Sequence, residues 1–356
     1  MTDERDWDFY YVFVVTSKSI SVINIGQCCE IDENIDGILK YILDYAVGKH
    51  SDFQIRALTD YFNIYKMVLM PIGEILPQSI HQLFIAGAGN FLELPFGLLP
   101  CFHWYDKYME DEYHIRYINS GKEILRDTNY ETNQGAIVIG NPDFEGKFPA
   151  LPSSKREVEV IAELLKVKPI TGKEALPECM SQTAGIFHIS THSYTQKADS
   201  QQDIDPMKRV GLVFAGGQYL SAQKISKIDM SKTNLVVLSV CGEKEEKGVY
   251  SDIGPGIRRA FINAGARHII MNLWKTDDNA AELLMRCFYD YYITEKINIE
   301  EALRRAKQYL KTNSASAIKS GKYYDEGMES ILGLVKDDEM PYAHPYYWAG
   351  FIVLGV

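Results

Sequence analysis

The sequence predicts an α/β protein organised around a large, mostly parallel sheet with flanking helices. Four segments are apolar at both odd and even positions, which is typical of strands covered on both faces. These segments are residues 186–191, 235–241, 268–274 and 351–355. Helix signals lie between them, and regular alternation of strand with helix indicates parallel strands joined by crossover connections. The length of 356 residues fits about two core-sized units of roughly 150 residues each.

The first part of the chain predicts a smaller α/β layer. Two β-rich runs, 8–15 and 19–26, are joined by three polar residues and indicate a hairpin. Helical periodicity follows over 35–46 and again over 55–68. Three further short runs predict strands, at 82–86, 113–119 and 135–140. We therefore expect an N-terminal α/β half over residues 1–145 and a second half over residues 146–356.

Capping patterns predict where three helices of the second half begin. Ser154 is followed three residues later by Glu157, which predicts a capping box. Asn279 and Asn298 are each followed by Glu at the same spacing, so each is predicted to be a helix cap. Residues 312–341 are polar and lack periodicity, which predicts a long surface excursion.

Composition narrows the classes of partner. The chain has 37 Lys and Arg against 48 Asp and Glu, a net charge of −11, which disfavours binding to nucleic acid or anionic lipid. Its longest apolar runs fall far short of the roughly 20 residues that span a bilayer. The first residues carry mixed charge and no small-residue cleavage site, so we expect a cytoplasmic protein.

The six cysteines do not form a metal-binding pattern. None of them shows the paired CxxC spacing of zinc sites, and a chain of this length does not need disulfides to fold. The glycine motifs also lack the complete fingerprints of dinucleotide or phosphate loops. We expect reduced thiols, no metal and no cofactor.

Two reactive side chains follow neighbouring strands of the predicted sheet. His192 follows the strand at 186–191, and Cys241 closes the strand at 235–241. Functional groups of open α/β sheets gather at the carboxyl ends of strands, and adjacent strands lie about 4.8 Å apart. A nearby imidazole favours the reactive thiolate and can return a proton to a leaving amine. His192 and Cys241 are therefore the predicted catalytic base and nucleophile.

Small residues follow both members of this pair. Ser193 and Gly242 leave their backbone N–H groups accessible, so these groups are candidate oxyanion donors. His188 shares a strand face with His192 and is predicted to be a structural histidine. Cys287 falls in a helical apolar pattern and is predicted to be a core thiol. The remaining cysteines, at positions 28, 29, 101 and 179, have no histidine placed by the same topology and are predicted to be ordinary thiols.

From about Gln82 onward the chain resembles the CHAT family, caspase-like cysteine peptidases of clan CD that are related to separases. The resemblance is carried, in the family's order, by FLELPFGLLP, IVIGNPD, LPSSKREVEVIAELL, IFHISTHS, LVVLSVC, GIRRAFINAGARHIIMNLWKTDD and HPYYWAGFIVLG. It implies a caspase-like catalytic half preceded by a pseudo-caspase-like half without catalytic function. It also implies His192 as the catalytic histidine and Cys241 as the nucleophile. The family's usual His-Gly is replaced here by His-Ser at Ser193.

The resemblance also suggests a substrate pocket. Separases have a related Asn-Leu-Trp motif followed by acids, one of which is associated with recognition of a basic residue before the scissile bond. Asp277 and Asp278 follow that motif here and are candidate substrate-binding acids. The alternative is that they only stabilise the amino terminus of the helix that follows.

The expected function is that of a cysteine endopeptidase that makes limited cleavages in a protein partner. The resemblance implies a role in bacterial defence or regulated cell death. We expect control by a regulatory protein partner or by the polar loops at 242–254 and 312–341. Two alternatives stay open. The chain could be a catalytically silent, peptidase-like scaffold that binds a protein partner, or a cysteine enzyme that transfers acyl groups without cleaving chains.

Overall fold

A computed structural model describes residues 8–46, 48, 54–102, 107–126, 135–195, 206–242 and 253–356. The chain divides into two compact units, the first ending at Ile115 and the second running from Arg116 to Val356. The strand expected at 135–140 lies in the sheet of the second unit. The functional boundary expected at residue 145 concerns catalysis and stays a prediction.

The first unit begins with the predicted hairpin. Its elements in chain order are strands β1 (Phe9–Val15) and β2 (Ile20–Gln27), helices α1 (Cys28–Tyr45), α2 (Gln54–Ile64) and α3 (Met70–Gly73), strand β3 (Gln82–Ile85) and helix α4 (Met109–Glu112). β1 and β2 pair antiparallel. Helix α1 buries one stripe of isoleucines at three-to-four spacing, Ile31, Ile35, Ile38 and Ile42. A π-helical turn at Tyr65–Leu69 joins α2 to α3.

The sheet of the second unit is mixed and mostly parallel, as predicted. Its strands are β4 (His114–Tyr117, which spans the boundary between the units), β5 (Ala136–Pro142), β6 (Ile170–Gly172), β7 (Ile186–Thr195), β8 (Val210–Phe214), β9 (Gln218–Ser221), β10 (Leu235–Gly242), β11 (His268–Asn272) and β12 (Phe351–Gly355). The spatial order is β4-β12-β11-β10-β7-β5-β6. β12 runs antiparallel to β11, whereas β11, β10, β7, β5 and β6 are parallel to one another.

Two features of this sheet were absent from the sequence prediction. β8 and β9 form an antiparallel extension that pairs with the end of β7. β7 itself continues to Thr195, so His192 lies within the strand instead of following it. The longer strand gives His192 a fixed backbone on both sides.

Helices of the second unit confirm some predicted caps and correct others. They are α5 (Pro152–Leu164), α6 (Pro206–Arg209), α7 (Ala222–Ile225), α8 (Ile253–Ala264), α9 (Asp278–Tyr289), α10 (Ile299–Thr312), α11 (Ala315–Ser320) and α12 (Glu329–Leu332). The Asn298 side chain accepts a hydrogen bond from the Glu301 N–H at 2.9 Å, which confirms that cap. The cap predicted at Asn279 is wrong, because the helix begins earlier and Asp277 occupies the cap position.

The capping box predicted at Ser154 and Glu157 is also wrong. Helix α5 begins at Pro152, its cap position is Leu151, and no side chain caps it. Both predicted capping side chains are buried and face the sheet.

Residues 312–341 are more ordered than a polar surface excursion. They contain α11 and α12 and bury apolar side chains that include Ile318 and Met328. Asp325 forms ion pairs with Arg156 of α5 at 3.3 Å and with Arg286 of α9 at 3.1 Å. Much of the segment is exposed, as expected of a surface excursion, but two helices and these ion pairs fasten it to the second unit.

Helix α5 lies unusually close to the sheet at Gly140. A Cβ atom at this position would collide with a methyl group of Val158 and would lie 2.8 Å from Ser154 Oγ. Only a residue without a side chain lets the helix approach β5 so closely.

Gly140→Ala is therefore expected to destabilise the protein by about 1–3 kcal/mol, because the added methyl group must push α5 away from β5. Gly121→Ala is the matched control, since a Cβ there meets nothing within 4 Å, and its effect should stay within about 0.5 kcal/mol. Urea unfolding measures both free energies. Equal effects of the two substitutions would contradict the close packing.

His268, at the start of β11, is held in its neutral form. Its Nδ1 donates to the Asn234 carbonyl at 3.1 Å, and burial together with the charge of Arg116 lowers its pKa from 6.5 to about 4. An unfolded chain would bind a proton at this histidine below about pH 6.5, whereas the folded chain would not until about pH 4.

The free energy of unfolding should therefore fall as the pH drops from about 6.5 to about 4, and the fall should be smaller in His268→Gln, whose side chain keeps a donor but cannot titrate. Urea unfolding at a series of pH values measures the difference between the two proteins. A difference that does not change across this range would show that His268 is not the responsible group.

Candidate active site

The register between β7 and β10 places the two predicted catalytic residues side by side. The two strands pair in parallel without interruption from Ile186 and Leu235 onward, and Cys241 is the register partner of His192. Register partners on neighbouring strands are separated by about 4.8 Å. The backbone thus brings these two positions together at the end of β10, while their catalytic roles stay predictions.

His192 is held by a backbone carbonyl. Its ring is buried, and its Nε2 lies 2.9 Å from the carbonyl oxygen of Pro149. A carbonyl oxygen can only accept a hydrogen bond, so Nε2 must carry the hydrogen. In the neutral imidazole this leaves Nδ1 unprotonated and able to accept a proton. Sequence reasoning missed Pro149, because the group that acts is a backbone atom that any residue would supply.

Aromatic rings flank the same imidazole. The ring centroids of Phe144 and Phe148 lie 5.1 Å and 6.0 Å from that of His192. Phe148 also meets Tyr194 edge to face at 5.6 Å. Because Phe144, Phe148 and Pro149 all lie between β5 and α5, one connection restricts both the plane and the tautomer of the histidine.

The two candidate oxyanion donors are also register partners. Ser193 pairs with Gly242 on one side and with Leu212 of β8 on the other. Ser193 is therefore inside the sheet and not on a free loop. Its hydroxyl is buried and has no hydrogen-bond partner among the described residues.

His188 is a structural histidine, as predicted. It is fully buried, and its Nδ1 lies 3.1 Å from the Tyr289 hydroxyl. Its Nε2 lies 3.2 Å from Glu157 Oε1. Both ring nitrogens thus face polar groups of the core.

The two candidate substrate-binding acids have different surroundings. Asp277 Oδ1 accepts hydrogen bonds from the Asn279 N–H at 3.1 Å and the Ala280 N–H at 3.0 Å. Burial raises the pKa of Asp277 above its ordinary value. Asp278 is exposed in the first turn of α9. Helix capping accounts for the contacts of Asp277, and a substrate role for either acid stays a prediction.

The thiols of the described side chains separate by burial. Cys101, Cys179 and Cys287 are buried, Cys28 is half-buried and Cys29 is exposed. Burial raises the pKa of Cys287 well above its ordinary value, so this thiol is a core group, as predicted.

In the described part of the chain, no group of three or more His, Cys, Asp or Glu side chains could hold a metal ion. None of the helices in the described ranges combines the length and apolar content that crossing a bilayer requires.

A surface pocket of about 290 Å³ on α10 contains none of the predicted site residues. Its walls include Tyr291, Tyr309 and Arg305. Arg304 and Arg305 bind Glu301 and lower its pKa to about 2. The carboxylate thus offsets the positive charge that an anionic ligand would need.

Asp277→Ala is expected to lower the free energy of unfolding by about 1 kcal/mol, because two N–H groups at the start of α9 lose their acceptor. Asp278→Ala, the control on the exposed neighbour, should change it by no more than about 0.5 kcal/mol. Urea unfolding compares them. Equal stability of the two variants would argue against the capping role of Asp277.

Comparison with models of known protein families identifies one family. Residues 62–356 match the family model of the CHAT domain. Human tetratricopeptide repeat protein 28 is 22% identical over 268 residues, which cover 62% of this chain and 9% of that protein. The chain thus spans less than a tenth of the length of this curated relative.

The chain is also similar to solved structures. The Saccharomyces cerevisiae separase–securin complex aligns with a TM-score of 0.45 and 13% identity, over 86% of this chain and 17% of that one. The Arg-specific cysteine proteinase gingipain R aligns with a TM-score of 0.46 and 11% identity, over 83% of this chain and 67% of that one. Since the CHAT model matches the greater part of its length, this chain belongs to the CHAT-domain family.

Proposed function

We propose that this chain is a cysteine endopeptidase that makes limited cleavages in a protein partner through His192 and Cys241. The observation that carries the proposal is the register pairing of these two residues on parallel strands. Membership of the CHAT family supports it, because it is the family expected from the motifs that contain both residues.

The contacts of His192 fit the chemistry of such a pair. With Nε2–H held by Pro149, Nδ1 is the nitrogen able to take the proton of the Cys241 thiol. The thiolate would attack the peptide carbonyl, and the imidazolium would give its proton to the leaving amine. Water, deprotonated by the same imidazole, would then release the acyl group and restore the thiol. The backbone N–H group of Gly242 would stabilise the oxyanion, whereas that of Ser193, the other candidate donor, lies between paired strands on both sides.

Residues 146–356 would carry the chemistry, and residues 1–145 would carry none. Both strands of the pair lie in the second unit, which supports this assignment. A regulatory protein partner and a role in bacterial defence or regulated cell death are parts of the proposal that rest on the family resemblance alone. A cytoplasmic location is also part of the proposal and stays an expectation from the sequence.

Substrate preference is a further part of the proposal. Asp278 is the better candidate for contact with a basic substrate residue, because it is exposed while Asp277 is engaged as a helix cap.

The experiment is mass spectrometry of new peptide termini in a bacterial lysate treated with the purified protein. Wild type and Cys29→Ala, which removes an exposed thiol as the matched control, should generate the same new termini. Cys241→Ala and His192→Ala should generate none, because each removes one half of the pair.

Labelling by a peptidyl electrophile that reacts with thiols provides a second readout. Wild type should be modified at Cys241, and His192→Ala much more slowly. Absence of both labelling and cleavage would favour the silent scaffold, and partner modification without cleavage would favour acyl transfer.

A further inference from the structure

We propose that Glu157 is a positioning residue for the reaction, because its carboxylate clamps β7 to β10 directly below His192 and Cys241. The inference rests on the proposed function, since it concerns the same pair of residues. Glu157 lies on α5, is only 7% exposed and is not part of the proposed chemical steps.

One oxygen atom of this carboxylate binds both strands. Glu157 Oε2 accepts a hydrogen bond from Ser190 of β7 at 2.8 Å and another from Ser239 of β10 at 3.0 Å. Ser190 and Ser239 are register partners, and each lies two residues before His192 or Cys241. A shared acceptor fixes the separation of the two hydroxyl groups, because neither strand can move along the other without breaking a hydrogen bond.

The other oxygen of the carboxylate faces a buried histidine. His188 Nε2 lies 3.2 Å from Glu157 Oε1, and the opposite nitrogen of His188 faces the Tyr289 hydroxyl. The contacts therefore extend from α5 through β7 to α9. The carboxylate is thus enclosed between the two serines and His188, and its hydrogen bonds go to the serines.

The helix that carries Glu157 is itself fixed to the strands. Ser154 accepts a hydrogen bond from the Asn141 N–H at 2.8 Å and donates one to the Ser190 carbonyl at 2.9 Å. Gly140 allows the close approach of α5 that these short contacts require. The carboxylate is thus presented by a rigid element.

This placement matters for reactivity more than for folding alone. His188, Ser190 and His192 are every second residue of β7, so their side chains lie on the same face of the strand. Glu157 therefore binds the face of β7 that carries His192. Proton transfer within the pair depends steeply on its geometry, and a displacement of about 1 Å can cost roughly 100-fold in rate. A buried polar network without a positioning role would affect stability and leave the reactivity of Cys241 unchanged.

The test compares Glu157→Gln with Glu159→Gln. Glu159 lies on the same helix but is exposed, and its carboxylate lies 3.9 Å from the Lys155 ammonium group. The measurement is the rate of iodoacetamide alkylation at Cys241 as a function of pH, followed by peptide mass spectrometry, with the exposed Cys29 as an internal reference thiol.

Wild type and Glu159→Gln should show a Cys241 reaction profile with an apparent pKa below the ordinary value of about 8.5. In Glu157→Gln the profile should move toward that value, because an amide offers one acceptor oxygen and adds an N–H donor beside the serines. A shift of one pKa unit corresponds to about tenfold less thiolate at neutral pH.

Variants of the two serines test the same contacts if the Glu157 variant fails to fold. Ser190→Ala and Ser239→Ala should each shift the profile, and the double variant should shift it no further, because either change opens the same clamp. Thermal unfolding measured in parallel separates lost stability from lost reactivity.

Each outcome has a distinct meaning. Glu157 and serine variants that lower the melting temperature but keep the wild-type profile would overturn the positioning role and leave the proposed function intact. If Cys241 of the wild type reacts with the pH dependence of an ordinary thiol, His192 does not activate it. That result would contradict both the proposed function and the positioning role of Glu157.

Discussion

The register between β7 and β10 is the constraint on which the site depends. Side chains of a strand alternate between two faces, so a slip of one residue would set Cys241 opposite Thr191 or Ser193 and reverse the faces of the two strands relative to each other. Hydrogen bonds of the ladder specify this register along eight paired positions. The other contacts around His192 can contribute to the proposed reaction only because this ladder places His192 beside Cys241.

One continuous stretch of chain supplies most of the support for that pair. Strand β5 lies beside β7, the connection after it provides the Pro149 carbonyl and two phenylalanine rings, and α5 brings Glu157 back over the sheet. Tautomer, ring plane and strand separation are therefore all set from a single β-loop-α unit. The antiparallel strands β8 and β9 then extend the sheet beside the end of β7.

The sequence predicted the sheet well because buried parallel strands are apolar on both faces, a pattern that few other elements share. It predicted that His192 and Cys241 lie close together because both come late in such strands, although β7 continues to Thr195 beyond His192. Local capping patterns were less reliable, since Ser154 and Glu157 have capping-box spacing yet bind the sheet. The Pro149 carbonyl could not be predicted, because a backbone acceptor leaves no residue-specific signal.

Two adjacent residues of α5 contact different parts of the protein. These contacts limit where the helix could gain or lose residues during evolution. Arg156 reaches Glu282 and Asp325 at 2.8 Å and 3.3 Å, while Glu157 reaches the strands. Each residue advances a helix by about 100°, so an insertion in its first turn would rotate both side chains away from their partners. An insertion after Leu164 would leave them in place. The C-terminal end of α5 can therefore vary in length, whereas its N-terminal turn cannot.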